Sequence, residues 1–389
     1  VGATIDPLDL VGVDALLSDD ERRWRDRTRD LVQTHVLDDV EDWHDREHFP
    51  TKLIAPIAAA GLLGMHLDGY GCAGASAVAY GLACTELEAG DSGIRSFVSV
   101  QGSLAMYALW RYGSDQQKDR WLPDMAAGRA VGCFGLTEPT AGSNPAQMRT
   151  YARRDGPDWI VDGHKRWSTN GTIADVAIVW AHTDEGVRGF VMPTAADGFT
   201  STPITGKRSL RVSAASELHL DRVRLPGDAV LPGAEGLSGP LRCLDEARYG
   251  IIWGALGAAR SCVETAVAHA TTREQFGRPI GAFQLTQAKL VDMALELTKG
   301  LLFALHLGRR KDAGDLAHQQ TSAGKLNSTR EALRIARTAR SILGGDGITD
   351  RFPVMRHMQN LETVITYEGT AEMHTLIVGE GMTGLRAFT

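Results

Sequence analysis

The sequence predicts an α+β chain of three consecutive blocks: an N-terminal helical domain over residues 1–130, a middle antiparallel β domain over 131–235, and a C-terminal helical bundle over 236–389. Three observations carry that expectation. Apolar residues recur at helical spacing from residue 14 to about 130. They then fall into short runs separated by Gly, Pro, Asp and Asn up to about Val230, and helical spacing returns near Leu241 and lasts to the end.

In chain order, helices are expected over Leu17 to His35, Pro50 to Leu63, Ser76 to Ala89, Val98 to Tyr112 and Gln116 to Ala127, with a glycine-rich turn from Gly69 to Gly74. Strand-like runs follow at Arg129 to Gly135, Thr150 to Arg154, Trp159 to Val161, Val176 to Ala181, Arg188 to Val191 and Glu217 to Val223. Their close spacing leaves no room for helical crossovers, so an antiparallel barrel or sandwich is expected. The second helical block runs through Ala255 to Arg273, Gln284 to His306, Leu316 to Leu343 and Pro353 to Tyr367. No strand is followed by G-x-G-x-x-G, which excludes a nucleotide held in a Rossmann crevice.

Composition narrows the classes. With 389 residues, 43% of them hydrophobic, the chain can bury substantial cores and is neither disordered nor fibrous. A net charge of -7 with no basic tail argues against nucleic-acid binding, and no apolar run reaches the length of a membrane span. The cysteines Cys72, Cys84, Cys133, Cys243 and Cys262 are scattered without a C-x-x-C pair, which favours packed, reduced thiols and no metal site. The acidic start, lacking a basic and then apolar leader, makes cytoplasm the expected compartment.

Candidate chemistry gathers in a few segments. Tyr367-Glu368-Gly369-Thr370 places a carboxylate where the backbone is permissive, so Glu368 is a candidate base; an acidic residue beside Gly-Thr also suits a helix cap. Gly344-Gly345-Asp346-Gly347 lies between helical stretches, as a helix end or as backbone open to an anion. The loop from Phe134 through Leu136, Thr137 and Ser143 offers amides and hydroxyls to a heterocycle or phosphate. Trp167, in Lys165 to Gly171, taken alone suits a core.

Together, and in this order along nearly the whole chain, these segments resemble the acyl-CoA dehydrogenases, flavoproteins that oxidise an acyl thioester between its α and β carbons. The resemblance implies FAD as cofactor. It implies flavin contacts at Phe134, Leu136, Thr137, Trp167 and Thr169, and an acyl-CoA neighbourhood at Ser143, Asp245 and Arg248. It places Arg273 on the FAD pyrophosphate of a neighbouring subunit, with Phe276 and Gln284 seating the dinucleotide, Gly344, Gly345 and Gly347 approaching it closely, and Thr370 as a further contact. Glu368 would take the α-proton, with Tyr367 and Gly369 beside it as substrate contacts and its own amide polarising the thioester oxygen. A homodimer at least, and a homotetramer as the family commonly forms, is implied, with an electron-transfer flavoprotein as electron acceptor.

Glu86 to Gln101, Gly206 to Arg211, Ala247 to Gly250 and Met382 to Phe388 are similar to the glutaryl-CoA branch of that family. That likeness implies that Arg95 and Ser96 hold a distal carboxylate with Glu88 beside them, and that oxidation is followed by decarboxylation to crotonyl-CoA. By spacing alone, Arg95 also suits a surface pair with Asp91. A non-decarboxylating dehydrogenase of another short or dicarboxylic acyl-CoA, a silent acyl-CoA-binding flavoprotein, and an oxidase are the competing readings. The chain departs from the family pattern at Asn144, Ser168, Arg208, Ser341 and Glu380, the last reversing a charge.

Overall fold

The computed structural model describes residues 5–387, so Phe388 of the C-terminal motif lies outside the described residues. The N-terminal block comprises α1 (Asp19–His35), α2 (Val40–Asp45), α3 (Ile54–Ala59), α4 (Ala77–Gly90), α5 (Ser92–Ser99), α6 (Tyr107–Tyr112) and α7 (Asp115–Ala126). Ser18 and Glu21 close a reciprocal capping box that starts α1. The helix expected from Val98 begins at Ser92, because the Asp91 side chain caps it by accepting from the Gly93 amide at 2.7 Å. It runs into α6 through π-helical turns over Val100–Met106. The helix expected over Pro50 to Leu63 is only a 3-10 turn and the short α3, ended by Gly61 at φ 74°.

The middle block holds β1 (Gly132–Gly135), β2 (Tyr151–Asp155), β3 (Asp158–Thr169), β4 (Val176–Thr183), β5 (Gly186–Pro193), β6 (Phe199–Pro203) and β7 (Ala215–Leu225). They form one sheet in the order β1-β4-β2-β3-β7-β6, with β5 paired to β4. The sheet is mixed: β1 and β4 run parallel, Gly132 opposite Val176, which corrects the purely antiparallel expectation. The β2–β3 hairpin lies between them in sequence and gives the chain the length to return in the same direction. β6, polar and exposed at alternate positions, was not legible as a strand.

The C-terminal block is built on α8 (Ser238–Thr272), followed by the short hairpin β8 (Glu274–Gln275) and β9 (Arg278–Pro279), then α9 (Gln284–Asp312), α10 (His318–Leu343), α11 (Val354–Val364) and α12 (Ala371–Thr383). One large apolar core joins α1, α4 and α5 to α8, α9, α10 and α11, while a separate core lies within the sheet. The helical blocks therefore share an interior. No helix among the described residues is long and apolar enough to cross a membrane.

Candidate active site

Arg95 is fully buried, with 0% exposure, and cannot be the surface residue that spacing allowed. Its Nε donates to Glu88 Oε2 at 2.6 Å, and Ser92 Oγ donates to the other Glu88 oxygen at 2.9 Å. Asp91 is committed elsewhere: its carboxylate accepts from Arg356 Nη1 at 2.8 Å and Asn360 Nδ2 at 2.9 Å. Burial pushes the Glu88 carboxyl up against the lowering effect of Arg95. The pair fits only because Gly254 of α8 passes against it; a Cβ there would lie 2.1 Å from Glu88 Oε2. Sequence inspection missed Gly254, since its need is set by a contact across the bundle.

Arg95 Nη2 donates to the Tyr367 hydroxyl, whereas Nη1 is buried without a partner. One turn along α5 the Ser99 hydroxyl is also buried and unpartnered. Residues four apart share a helix face, so Ser99 stands in line with Arg95. Ser96 is buried too, but one residue on it is turned about 100° round the helix. A buried guanidinium donor left unanswered is costly, so Arg95 Nη1 suits an anion.

Tyr367 leads from α11 into the turn that carries Glu368. Thr370, not Glu368, caps α12, its Oγ1 accepting from Met373 N at 3.3 Å. That leaves the Glu368 carboxyl uncommitted, with Oε2 buried and unpartnered. Glu368 has a left-handed backbone, φ 52°, and its amide donates no backbone hydrogen bond. Gly369 follows at φ 100°, where an added Cβ would also press on the buried His374 ring at 2.9 Å. Three successive carbonyls are held by buried cations: Tyr367 O and Gly369 O by Lys325 Nζ, the latter at 2.6 Å, and Glu368 O by Arg248 Nε at 2.7 Å. Arg248 is steadied in turn by Asp245 at 2.8 Å. Burial pushes the Glu368 carboxyl above its ordinary range, opposed by Arg95, Lys325 and Arg248. A buried carboxyl with a raised pKa is equipped to take a proton from carbon.

A second cluster lies at the edge of the sheet. Phe134 and Leu136 are buried and Thr137 half-buried at the end of β1. The loop beyond is anchored by buried Glu138, which accepts from Lys165 Nζ at 2.8 Å and Thr150 Oγ1 at 2.6 Å. Burial pulls Lys165 down to about 8 against the pull of Glu138. A register shift between Lys165 and Ser168 puts Trp167 in a bulge at φ 62°, 54% exposed rather than in the core. Thr169 is half-buried beside the buried Ser168, while Ser143 is exposed on its loop. The Asn144 side chain still forms its turn, accepting from Ala146 N at 3.2 Å.

The two clusters are tied together by a relay of hydrogen bonds. Asn170 N donates to Ala214 O at 2.9 Å, Leu210 N to Asn360 Oδ1 at 2.8 Å, and Asn360 in turn holds Asp91 at the start of α5. Arg208, in this segment, is exposed. Glu380 pairs with Arg386 at 3.3 Å, so its reversed charge is answered locally, and Ser341 accepts from Lys289 at 3.1 Å.

The remaining expected contacts face outward. Arg273 leaves α8 into the β8–β9 hairpin, whose tip residues Phe276 and Gly277 have φ 51° and 76°, a left-handed two-residue turn. Phe276 is 94% exposed, and Arg273 and Gln284 are exposed beside it. Gly344 and Gly345 border open space, with no atom within 4 Å of an added Cβ, whereas Gly347 is required by Arg340 O at 2.4 Å. An exposed phenyl ring, open backbone and an exposed guanidinium suit a dinucleotide with its pyrophosphate. Of the other titratable groups, His164, Glu217 and His219 cluster on β3 and β7; Glu217 accepts from His164 at 2.7 Å and pairs with Arg166 at 3.2 Å.

Models of the acyl-CoA dehydrogenase N-terminal, middle and C-terminal domains match residues 18–129, 133–223 and 234–383. The structure is similar to the crystal structure of glutaryl-CoA dehydrogenase from Mycobacterium smegmatis, with TM-score 0.98, 63% identity, and coverage of 99% of this chain and 100% of that one. It is similar also to a glutaryl-CoA dehydrogenase from the same organism in complex with FADH2, with TM-score 0.98, 57% identity and the same coverage. Human mitochondrial short-chain specific acyl-CoA dehydrogenase is 33% identical over 343 residues, 86% of this chain and 83% of its own length. With all three parts matched in order, the chain belongs to the acyl-CoA dehydrogenase family.

Proposed function

We propose that this protein is an FAD-dependent glutaryl-CoA dehydrogenase that also decarboxylates, giving crotonyl-CoA and carbon dioxide. One observation carries the substrate assignment: a fully buried arginine with a free Nη1, in line with an unpartnered serine hydroxyl and joined through Tyr367 to the Glu368 turn. A simple fatty-acyl chain would leave that guanidinium nitrogen unanswered, at the full cost of a buried charged donor. A carboxylate at the far end of a glutaryl chain answers Arg95 Nη1. The likeness to two glutaryl-CoA dehydrogenases supports the same reading.

In this reading Glu368 removes the α-proton, and the thioester oxygen is polarised by the free Glu368 amide. FAD, when bound, would supply the hydride acceptor for the β-carbon, and the two electrons would leave to an electron-transfer flavoprotein. Phe134, Leu136, Thr137, Trp167, Thr169, Gly344, Gly345 and Thr370 would hold the cofactor, with Arg273, Phe276 and Gln284 reaching it from a neighbouring subunit. Ser143, Asp245, Arg248 and Gly369 lie on the acyl-CoA side. After oxidation the distal carboxylate sits on Arg95 Nη1, with the buried Glu88 on the Nε side of the same guanidinium. Leaving as neutral carbon dioxide relieves its repulsion with Glu88, and its bonding pair enters the dienolate. Glu368, now protonated, returns a proton to give crotonyl-CoA.

The outward-facing hairpin supports a homodimer at least, with a homotetramer as the expected assembly, and breaks near residues 130 and 235 divide the three domains. The free, mostly buried cysteines accord with the cytoplasm. Anaerobic mixing of holoprotein with glutaryl-CoA tests the assignment. Flavin bleaching with crotonyl-CoA and carbon dioxide as products is expected; accumulation of glutaconyl-CoA, or bleaching with butyryl-CoA alone, would overturn it.

A further inference from the structure

The base is carried on backbone that should not hold itself. Glu368 is left-handed without being glycine, and Gly369 after it is at φ 100°. What closes on this strained pair is Lys325, from the middle of α10. Its Nζ donates to Tyr367 O and Gly369 O, the carbonyls immediately before and after Glu368, and lies 5.6 Å from the centre of the Tyr367 ring. Two carbonyls two residues apart converge on one nitrogen only when the residue between them turns away from extended or helical geometry. The left-handed Glu368 makes that turn. Lys325 is fully buried, and α10 around it is packed on the same side by Ser322, Ser328 and Thr329, so the nitrogen is set by a rigid helix.

We propose that Lys325 is a positioning residue for the reaction: its ammonium clamps the carbonyls on both sides of Glu368, fixes the base in its left-handed backbone and keeps a positive charge behind the carboxyl. The proposal rests on the reading of Glu368 as the base. The charged groups facing this pair are Arg95 from α5, itself paired with Glu88 of α4, and Arg248 from α8, itself paired with Asp245, together with Tyr367 and with His374 from α12. His374 is kept neutral, burial and the nearby Lys325 and Arg248 pulling it to about 3. Burial pulls Lys325 down to about 7 while the Glu368 charge pushes it up. When Glu368 takes the α-proton, the ammonium loses its counter-charge. While Lys325 keeps its proton, its charge makes the protonated Glu368 a stronger acid, ready to return its proton to the dienolate.

The test compares Lys325→Met, Lys325→Gln and Lys325→Arg holoenzymes turning over glutaryl-CoA. Lys325→Met is expected to lower kcat by about 100-fold, the effect of a base misplaced by about an ångström, with KM and FAD content little changed. Because the lysine charge lowers the Glu368 pKa, its loss should move the acid limb of the kcat profile up by about one pH unit. Lys325→Gln should show the same shift with a smaller rate loss, and serves if the methionine variant does not fold. Lys325→Arg, keeping the charge, should return the limb to its wild-type position. A neutral variant with wild-type kcat and an unmoved limb would overturn the proposal, as would parallel loss of kcat, KM and FAD with no limb shift. Glu368→Gln is run alongside: flavin bleaching at the wild-type rate there would reject Glu368 as the base, separately from any result at Lys325.

Discussion

The two halves of the site are built in opposite ways. Around Arg95 and Glu368 the cations are buried, and each has a partner drawn from this same chain: Glu88, Tyr367, or the carbonyls of the Glu368 turn. Around Arg273 and Phe276 the side chains stand in solvent on a hairpin packed only through its base. The difference separates specificity from assembly. Discrimination between acyl chains needs unanswered buried donors, which one chain can arrange by itself, whereas an exposed arginine on a hairpin is open to a group outside the chain.

The comparison can be broken most severely at the enclosed half. Glu368→Gln should lower turnover by about 10³- to 10⁴-fold while acyl-CoA still binds, read by stopped-flow flavin bleaching beside an equilibrium binding measurement. In the wild type only the carboxylate accepts a proton, so turnover should fall as pH drops through the raised Glu368 pKa. Replacing Arg95 by Gln should cost about 100-fold in kcat/KM on glutaryl-CoA and far less on butyryl-CoA. The same change removes a charge that lowers the Glu368 pKa, so the acid limb should move to higher pH. An unchanged preference between the two substrates would show that Arg95 does not read the chain end.

Gly254→Ala sharpens the contrast by attacking packing instead of charge. The added methyl would sit on Glu88 Oε2, and overpacking of this kind costs about 1–3 kcal/mol, seen as a lower Tm together with lost glutaryl-CoA selectivity. At the open half the effects should be smaller and of another kind. Arg273→Ala should weaken FAD retention by about tenfold, measured by dialysis, with the subunit's Tm little changed. Phe276→Ser should leave a single subunit's stability within about 0.5 kcal/mol of wild type and loosen self-association, measured by sedimentation. If it unfolds the subunit instead, the ring is not an assembly contact.

Much of this was legible in the order of segments. The blocks of helix, sheet and helix follow from a change in hydrophobic period, and Glu368 and Arg95 stand out by their neighbours in sequence. Other features were hidden for identifiable reasons. Lys325 and Gly254 lie in unremarkable stretches of helix and gain meaning only from the turn and the ion pair they meet across the bundle. Ser99 was not singled out because residues four apart share a helix face without being neighbours in sequence. Trp167 read alone as core, since no local pattern announces the bulge that turns it outward. The parallel β1–β4 pair was missed because strand spacing reports hairpins, not the strand to which the chain later returns.

Periodicity and motif order were enough to specify the family's architecture and to single out Glu368 and Arg95, because each is encoded in residues close together along the chain. Which of two acids answers Arg95, which serine shares its helix face and which lysine grips the Glu368 turn were decided only when α4, α5, α8 and α10 packed together. Buried charges choose partners by distance in space, and that distance is a property of the assembled core.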